Sequence, residues 1–456
     1  MVSPFHLEPA CLRPAQRADK TNPSTGQVWY NHSMQEIQQQ IRKNLKFNVM
    51  ISMADAAFFG IGWGFGSFGT VIPLFFAQMT HSAILIGLIP AIHAVGWQIP
   101  QLFTAGWVSR MRKYKPAVML MTIHERVPYL GLMLAALLLP VWGTKIVLPL
   151  AFMMLVWQGL GAGFTANPWQ SMIAKIIPPD SQGTFFGTQA AVANILISFS
   201  AVGAGYMLDI LKSPQDFALC FLLTFIALGA SYFALSFTRE PVDTEKVMPA
   251  QDHNFWKSAR AILRRDANFR WFLAFRVVYQ FATMGFAFYI VYGLRAFNMD
   301  AITAGYLTAA LTVAQTIANV GMGWLADRLG HRSMLIAGAL AVVLSSVAAW
   351  AAPSVVWLYL VFVLSALANV SYWTIGMAMT VQFGSEAERP VYIGLSNTLI
   401  APATIIAPIL GGWIADLAGY QTTFALSAVG GVLTAVLLIF FVKNPQPRMG
   451  VTVEQA

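Results

Sequence analysis

The chain has 456 residues, of which 57% are hydrophobic and only 10% are charged, and it carries a net charge of +9. A soluble protein of this length has roughly 25% charged residues, so the composition excludes a water-soluble chain. The two cysteines, one in a polar tail and one in an apolar run, exclude a disulfide framework. The basic residues lie between apolar runs without a nucleic-acid-binding motif, so we predict a lipid bilayer as the surrounding medium and no nucleic-acid partner.

The first 45 residues are polar and lack the early apolar core of a secretory signal. We therefore predict a retained cytoplasmic tail at 1–45. Within it, Ile37, Ile41 and Leu45 share one helical stripe beside basic residues, a pattern typical of an interfacial helix. A plain solvated tail accounts for the same stripe equally well.

Twelve apolar runs follow the tail, and each is long enough to span the hydrocarbon region, which takes about 20 helical residues. The runs lie at 47–77, 83–108, 116–140, 146–174, 184–210, 216–238, 269–296, 301–325, 333–352, 354–381, 391–415 and 421–442. The long joint after the sixth run divides them six plus six. The predicted domains are a six-helix bundle at 46–238, a cytoplasmic loop at 239–268, a second bundle at 269–443 and a cytoplasmic tail at 444–456.

The placement of the 28 Lys and Arg residues agrees with this count. Outside the runs, 23 of them fall on the side of the amino terminus and 3 on the other side. Cytoplasmic loops of membrane proteins carry the excess of Lys and Arg. The distribution therefore predicts that both termini are cytoplasmic.

The two halves show weak internal similarity at equivalent runs, which favours a duplicated architecture. Three pairs in runs five and eleven share one ungapped offset of 207 residues: Gly187 with Gly394, Gly205 with Gly412, and Asp209 with Asp416.

A motif in the loop between runs eight and nine points to a family. It contains Gly323, Asp327, Arg328, Gly330 and Arg332, and it resembles the loop signature of the major facilitator superfamily. The resemblance implies an all-α membrane protein of two pseudo-symmetric six-helix bundles that transports by alternating access. It also implies that the aspartate caps a neighbouring helix, here the start of run five, and that the basic residues form inter-helix ion pairs.

Other parts of the resemblance are incomplete. In the matching loop of the first half, Arg110 stands where the signature has Asp. On run four, Trp157–Ala162 is similar to a second family signature, but Leu155 occupies its arginine position. The family's runs one, four, seven and ten line the central cavity, which makes Gln158 on run four a candidate substrate contact.

Six ionisable residues inside the runs, including His124 on run three, need an explanation, because charge within a bilayer is costly. Asp55 either binds a proton or a cationic solute, or pairs with an arginine. Arg276 either faces an anionic substrate or neutralises Asp55. Glu125 and Arg126, with His93 as a third member, are interpreted as a buried charge network, with a proton relay as the alternative.

Run seven carries an aromatic face that includes Tyr279, and run ten adds Trp373. If these rings face the cavity, they predict an amphipathic or aromatic substrate held by stacking or cation–π contacts. Lipid-facing aromatic residues would give the same pattern.

Taken together, these features predict a secondary active or facilitative transporter that moves a small solute across the plasma membrane. Proton-coupled efflux of amphipathic or cationic compounds is the alternative within this class. An enzyme or receptor on a transporter fold is the alternative outside it, but no convergent catalytic set is present and no enzyme activity is predicted. We expect no cofactor, no metal site and a monomeric protein.

Overall fold

The structure is a computed structural model that describes residues 23–108, 111–178, 181–242, 255–384 and 388–445. All regular elements in these ranges are helical, as the composition predicts. The α-helices, in chain order, are α1 (Pro23–Phe65), α2 (Val71–Ala77), α3 (Ala83–Val108), α4 (Lys115–Met121), α5 (Ile123–Trp142), α6 (Thr144–Ile176), α7 (Gln182–Ile210), α8 (Gln215–Ser236), α9 (Phe255–Arg265), α10 (Ala267–Ala282), α11 (Tyr289–Phe297), α12 (Ala301–Leu329), α13 (His331–Trp350), α14 (Val356–Val370), α15 (Gly376–Val381), α16 (Arg389–Ala418) and α17 (Tyr420–Phe440).

Twelve helical stretches in the described ranges are long and apolar enough to cross a membrane, which agrees with the predicted number. Three of the predicted runs are not single α-helices. The first divides between α1 and α2, the seventh contains a 3-10 turn at Met284–Phe288, and the tenth contains a π-helical turn at Ser371–Ile375. Irregular backbone at membrane depth is tolerated where it is buried in protein.

The segment predicted as an interfacial helix is continuous with the first membrane helix, because Pro23–Phe65 forms one uninterrupted helix. In the central loop, α9 is a short amphipathic helix that buries Ala259 and Ile262 against the second bundle. Its Arg265 forms an ion pair of 2.8 Å with Glu388, at the start of α16.

The helices pack as two groups. In the amino-terminal group, α1 packs on α7 and α8, α3 on α6, and α5 on both α6 and α8. In the carboxy-terminal group, α13 packs on α14 and α17, and α10 packs on α16 and α17. The groups meet along two seams, where α3 contacts α16 and α7 contacts α12.

The two seams are related by the internal repeat. We call the membrane face at which the membrane-spanning part of α1 begins the near side, and the other face the far side. At the far side, Asp416 on α16 accepts hydrogen bonds from the backbone nitrogens of Ala83 (2.6 Å) and Ile84 (3.2 Å) at the start of α3. Asp209 on α7 accepts from Ala301 (3.0 Å) and Ile302 (3.2 Å) at the start of α12 in the same way. These four bonds form what we call the far-side latch.

Glycine makes this close approach possible. A Cβ atom at Gly412 would lie 2.6 Å from the Ala83 carbonyl oxygen, and one at Gly205 would lie 2.6 Å from that of Ala301. Any larger residue would push the seams apart. Toward the near side, a Cβ at Gly187 on α7 or at Gly323 on α12 would meet no atom within 4 Å, so these two positions are not in close contact with a neighbouring helix.

Candidate functional site

A cavity of about 500 Å³ opens within the amino-terminal bundle. Its size falls in the range of small-molecule sites. All of its lining residues belong to the first half of the chain: Asp55, Ala56, Phe59, Trp97, Thr122, Glu125, Arg126, Ala162, Thr165, Ala166, Trp169, Phe186, Gln189, Ala190, Ala193 and Leu235.

Asp55 reaches this cavity from α1, and it is joined to Arg126 through a serine. The Ser231 hydroxyl on α8 donates to Asp55 Oδ1 at 2.6 Å and accepts from Arg126 Nη2 at 2.9 Å. All three residues are buried. The link is therefore a directed chain in which the guanidinium donates to the hydroxyl and the hydroxyl donates to the carboxylate.

Arg126 is satisfied mainly by uncharged groups. Its Nε donates to the Leu228 carbonyl oxygen at 2.8 Å, and its Nη1 donates to the Thr122 carbonyl oxygen at 3.0 Å and to the Thr122 hydroxyl. The Glu125 carboxylate lies 3.7 Å from Nη1. Glu125 and Arg126 are thus close to each other, and both line the cavity beside Asp55.

Aromatic side chains form much of the remaining wall. Phe59 follows Asp55 by one turn of α1, while Trp97, Trp169 and Phe186 come from α3, α6 and α7. The charged groups therefore lie beside a broad apolar surface. Such a surface suits a solute with one charged end and an apolar or aromatic body.

His93 does not join Glu125 and Arg126. Its Nδ1 lies 3.1 Å from Gln158 Oε1, and its ring lies 4.3 Å from that of Phe68 and 5.2 Å from that of Trp63. Gln158 is almost fully buried, and its Nε2 has no hydrogen-bond partner in the described part of the chain. Neither residue lines the 500 Å³ cavity.

Arg276 lies inside the carboxy-terminal bundle and does not pair with Asp55. Its Nη1 donates to the Ser396 hydroxyl at 2.7 Å, and its guanidinium lies 4.8 Å from the centre of the Tyr372 ring. Among the residues that the structure describes, no carboxylate forms an ion pair with it.

The aromatic face of run seven packs within the same bundle. The Tyr279 hydroxyl donates to the Ala368 carbonyl oxygen at 2.7 Å, and its ring stacks on Tyr372 at 4.4 Å. Phe272 and Phe275 are fully buried beside it. Trp373 is 41% exposed on the π-helical turn of run ten and packs edge-on against Tyr372. Arg276, Tyr279 and Trp373 therefore lie outside the cavity.

The loop signature covers the end of α12 and the start of α13, and Gly330 is the residue between the two helices. Gly330 has a φ of +86°, a conformation that favours glycine, and it ends α12. Arg332 donates to the Leu438 and Ile439 carbonyl oxygens at the end of α17, where helix carbonyls lack intrahelical partners. The Arg328 guanidinium lies 3.8 Å from the Trp324 ring centre. These basic residues thus contact backbone oxygens and an aromatic ring, whereas the resemblance implied ion pairs.

Asp327 is exposed at the near side. Its carboxylate accepts no hydrogen bond from another residue that the structure describes. Arg110, which takes its place in the other half, lies outside the described residues. The carboxylate of Asp327 is thus free in this conformation to cap the start of α7 in another.

Comparison with known proteins decides the family. The model of the Major Facilitator Superfamily matches residues 126–295 and 292–455, which together cover most of the chain. The chain belongs to the Major Facilitator Superfamily. This transporter is 22% identical to Multidrug resistance protein 2 of Bacillus subtilis, over 81% of its own length and 89% of that protein's.

Two further similarities concern a shorter segment of the sequence and the fold. A stretch of 143 residues is 30% identical to the probable vesicular acetylcholine transporter-B of Danio rerio, and it covers 31% of the transporter and 29% of that relative. The crystal structure of a D-xylose–proton symporter has the same fold, with a TM-score of 0.66 at 16% identity over 88% of the transporter and 98% of that chain.

Sequence reasoning missed the roles of four residues, two at the site and two at the seams. Ser231 and Thr122 are small hydroxyl residues of a common type in membrane helices, and nothing in the sequence distinguishes them. Asp209 and Asp416 appeared only as repeat markers. Their position four residues after a glycine at the end of equivalent runs was the available signal for the far-side latch.

The first prediction concerns Asp327. If it caps α7 when the near side closes, Asp327→Asn should slow solute turnover about threefold, because a charge at a helix amino terminus contributes about 0.3–1 kcal/mol. Initial rates in proteoliposomes measure the effect, and Asp327→Glu, which keeps the charge, serves as the control. Rates equal to those of the wild type in Asp327→Asn would rule out this capping role.

Proposed function

We propose that the transporter exports monovalent amphipathic cations from the cytoplasm in exchange for protons, through the cavity of its amino-terminal bundle. The observation that carries the proposal is that Asp55, Glu125 and Arg126 line the same cavity. Two carboxyl groups and one guanidinium leave one negative charge without a compensating positive charge when both acids are ionised.

An uncompensated charge in a membrane interior is unfavourable by several kcal/mol, so the cavity favours states in which one positive charge is added. A proton on either acid supplies that charge, and so does one monovalent cation in the cavity. A proton and a monovalent cation cannot neutralise the same carboxylate at the same time. Competition for a single negative charge is the physical basis of one-for-one exchange.

The apolar wall supports the choice of an amphipathic cation. Trp97, Trp169, Phe59 and Phe186 offer ring faces next to the carboxylates. A cation over an aromatic face gains about 0.5–2 kcal/mol, and an apolar body gains from leaving water. The names of two relatives support the same class, since one refers to multidrug resistance and the other to acetylcholine, an organic cation.

The proposed direction depends on which membrane face is cytoplasmic. The excess of Lys and Arg on the near side supports a cytoplasmic near side, with both termini there, and the bacterial relative supports the plasma membrane. The far-side latch joins the bundles at the outer end, and Gly187 on α7 and Gly323 on α12 face open space toward the near side. Because one chain supplies the whole cavity wall, we propose that the transporter works as a monomer.

Ethidium uptake into proteoliposomes tests the proposal. With the lumen one pH unit more acidic than the bath, one-for-one exchange should accumulate ethidium about tenfold, since one pH unit and a tenfold cation ratio are the same free energy, about 1.4 kcal/mol. The electroneutral exchange should not respond to a potassium diffusion potential. The aromatic anion carboxyfluorescein, used as the matched probe, should not accumulate.

Ethidium that equilibrates without accumulating would indicate facilitated diffusion and would contradict proton exchange. Accumulation of carboxyfluorescein in place of ethidium would contradict the proposed charge preference.

A further inference from the structure

Ser231 lies between the two charged residues Asp55 and Arg126 but does not line the cavity. It lies on α8, its side chain is fully buried, and it is absent from the cavity wall to which Asp55 and Arg126 both belong. A solute in the cavity therefore contacts the two charged groups but not the hydroxyl between them. Ser231 can act on exchange only through those neighbours.

The direction of its hydrogen bonds depends on the charge of Asp55. A serine hydroxyl has one proton, and here it points to Asp55 Oδ1 at 2.6 Å, which leaves the oxygen lone pairs for Arg126 Nη2 at 2.9 Å. A protonated Asp55 is itself a donor. When it donates to the Ser231 oxygen, that oxygen accepts from both Asp55 and Arg126, so the bond that holds this edge of the guanidinium weakens.

Asp55 and Arg126 are connected through Ser231 and not by a direct contact. Within the described residues, no direct ion pair forms between Asp55 and Arg126, whereas Glu125 lies 3.7 Å from Arg126 Nη1. The other charged groups beside Asp55 are therefore Glu125 and Arg126, both from α5. The lining residues from α3, α6 and α7, such as Trp97, Thr165 and Gln189, are uncharged.

We propose that Ser231 is a positioning residue of the exchange site, whose hydroxyl makes the placement of Arg126 depend on whether Asp55 carries a proton. The inference rests on the proposed proton exchange. Protonation of Asp55 then loosens Arg126 from Ser231, while the bonds of Arg126 to Thr122 and Leu228 persist. The guanidinium shifts toward Glu125, and the cavity presents a neutral surface from which a cation leaves.

The test is an infrared titration of the purified full-length protein. The band of the protonated Asp55 carboxyl is identified by its loss in Asp55→Asn, and its titration midpoint is then measured in Ser231→Ala. Removing the donor to the ionised carboxylate should raise the midpoint by about one pH unit. The pH at half-maximal ethidium exchange should rise by the same amount.

Thr224→Val is the matched control. Thr224 lies seven residues earlier on α8, is equally buried, and donates at 2.9 Å to the Cys220 carbonyl oxygen of its own helix. It should leave the midpoint unchanged. Ser231→Cys keeps a weaker donor and should give a smaller rise of the midpoint. If Ser231→Ala does not fold, the midpoint measured in Ser231→Cys is the test.

An unchanged midpoint in the folded Ser231 variant, or an equal shift in Thr224→Val, would overturn the inference. If the wild type exchanges no protons for ethidium but the infrared midpoint rises in Ser231→Ala, the proposed function fails while the hydroxyl link stands. If exchange occurs and the midpoint does not move, only the link fails.

Discussion

Replacing Asp55 by Asn is expected to abolish accumulation of ethidium by a proton gradient, so that the tenfold ratio expected per pH unit falls to about one. The asparagine is neutral at every pH and cannot exchange a proton. Its amide oxygen can still accept the Ser231 hydrogen bond, and Arg126 keeps its bonds to Leu228 and Thr122. We therefore expect the variant to insert and to unfold within a few degrees of the wild type.

A purely structural role for Asp55 gives a different result. If Asp55 served only to neutralise an arginine, Asp55→Asn would leave an uncompensated buried cation and lower the unfolding temperature strongly, and Arg126→Gln in the same chain would restore it. Thermal unfolding in detergent, measured beside exchange in proteoliposomes, separates the two roles. A stable Asp55→Asn protein with the pH dependence of the wild type would exclude both.

Removing the two aspartates of the far-side latch should open the far side of the transporter. Asp209→Asn and Asp416→Asn each take a charge from a helix amino terminus in the opposite bundle. An exposed charge in this position contributes about 1 kcal/mol, so the double variant should shift the equilibrium toward the far-side-open state by about thirtyfold. The shift can be measured in a chain with Cys11 and Cys220 replaced by Ser and with Thr308→Cys. Thr308 is buried on α12, where its hydroxyl contacts that of Thr70 in the amino-terminal bundle, so the new thiol lies between the bundles.

An impermeant thiol reagent added at the far side should label this cysteine faster in the double variant. The matched control is Asp300→Asn, because Asp300 caps the same α12 terminus from within its own bundle, through Thr303 at 2.9 Å. It removes a similar charge without breaking a bond between bundles and should leave labelling unchanged. Equal acceleration by Asp300→Asn would show that the loss of a capping charge, and not the loss of bonds between the bundles, opens the far side.

The sequence was informative where the bilayer itself imposes the pattern. A helix must be long and apolar to satisfy its backbone in lipid, so the number of spans could be counted, and the count agrees with the structure. The loop signature at Gly323–Arg332 led to the correct family for a similar reason. Its Gly330 meets a backbone requirement at a tight connection, as its φ of +86° shows.

The site depended on information that no single run contains. Asp55, Arg126 and Ser231 lie on three helices separated by up to 176 residues, and their contacts depend on how those helices rotate about their axes. Rotation is determined by packing, such as the close crossing of α1 and α7 at Gly60, which the hydropathy of a run does not encode. For the same reason, the sequence left open a pair of Asp55 with Arg276, and the fold places these two residues in different bundles. Composition and spacing thus determined the membrane fold and the family of this transporter. The tertiary structure alone decided which buried charges meet, because side-chain contacts between helices follow from their packed faces and not from their order in the chain.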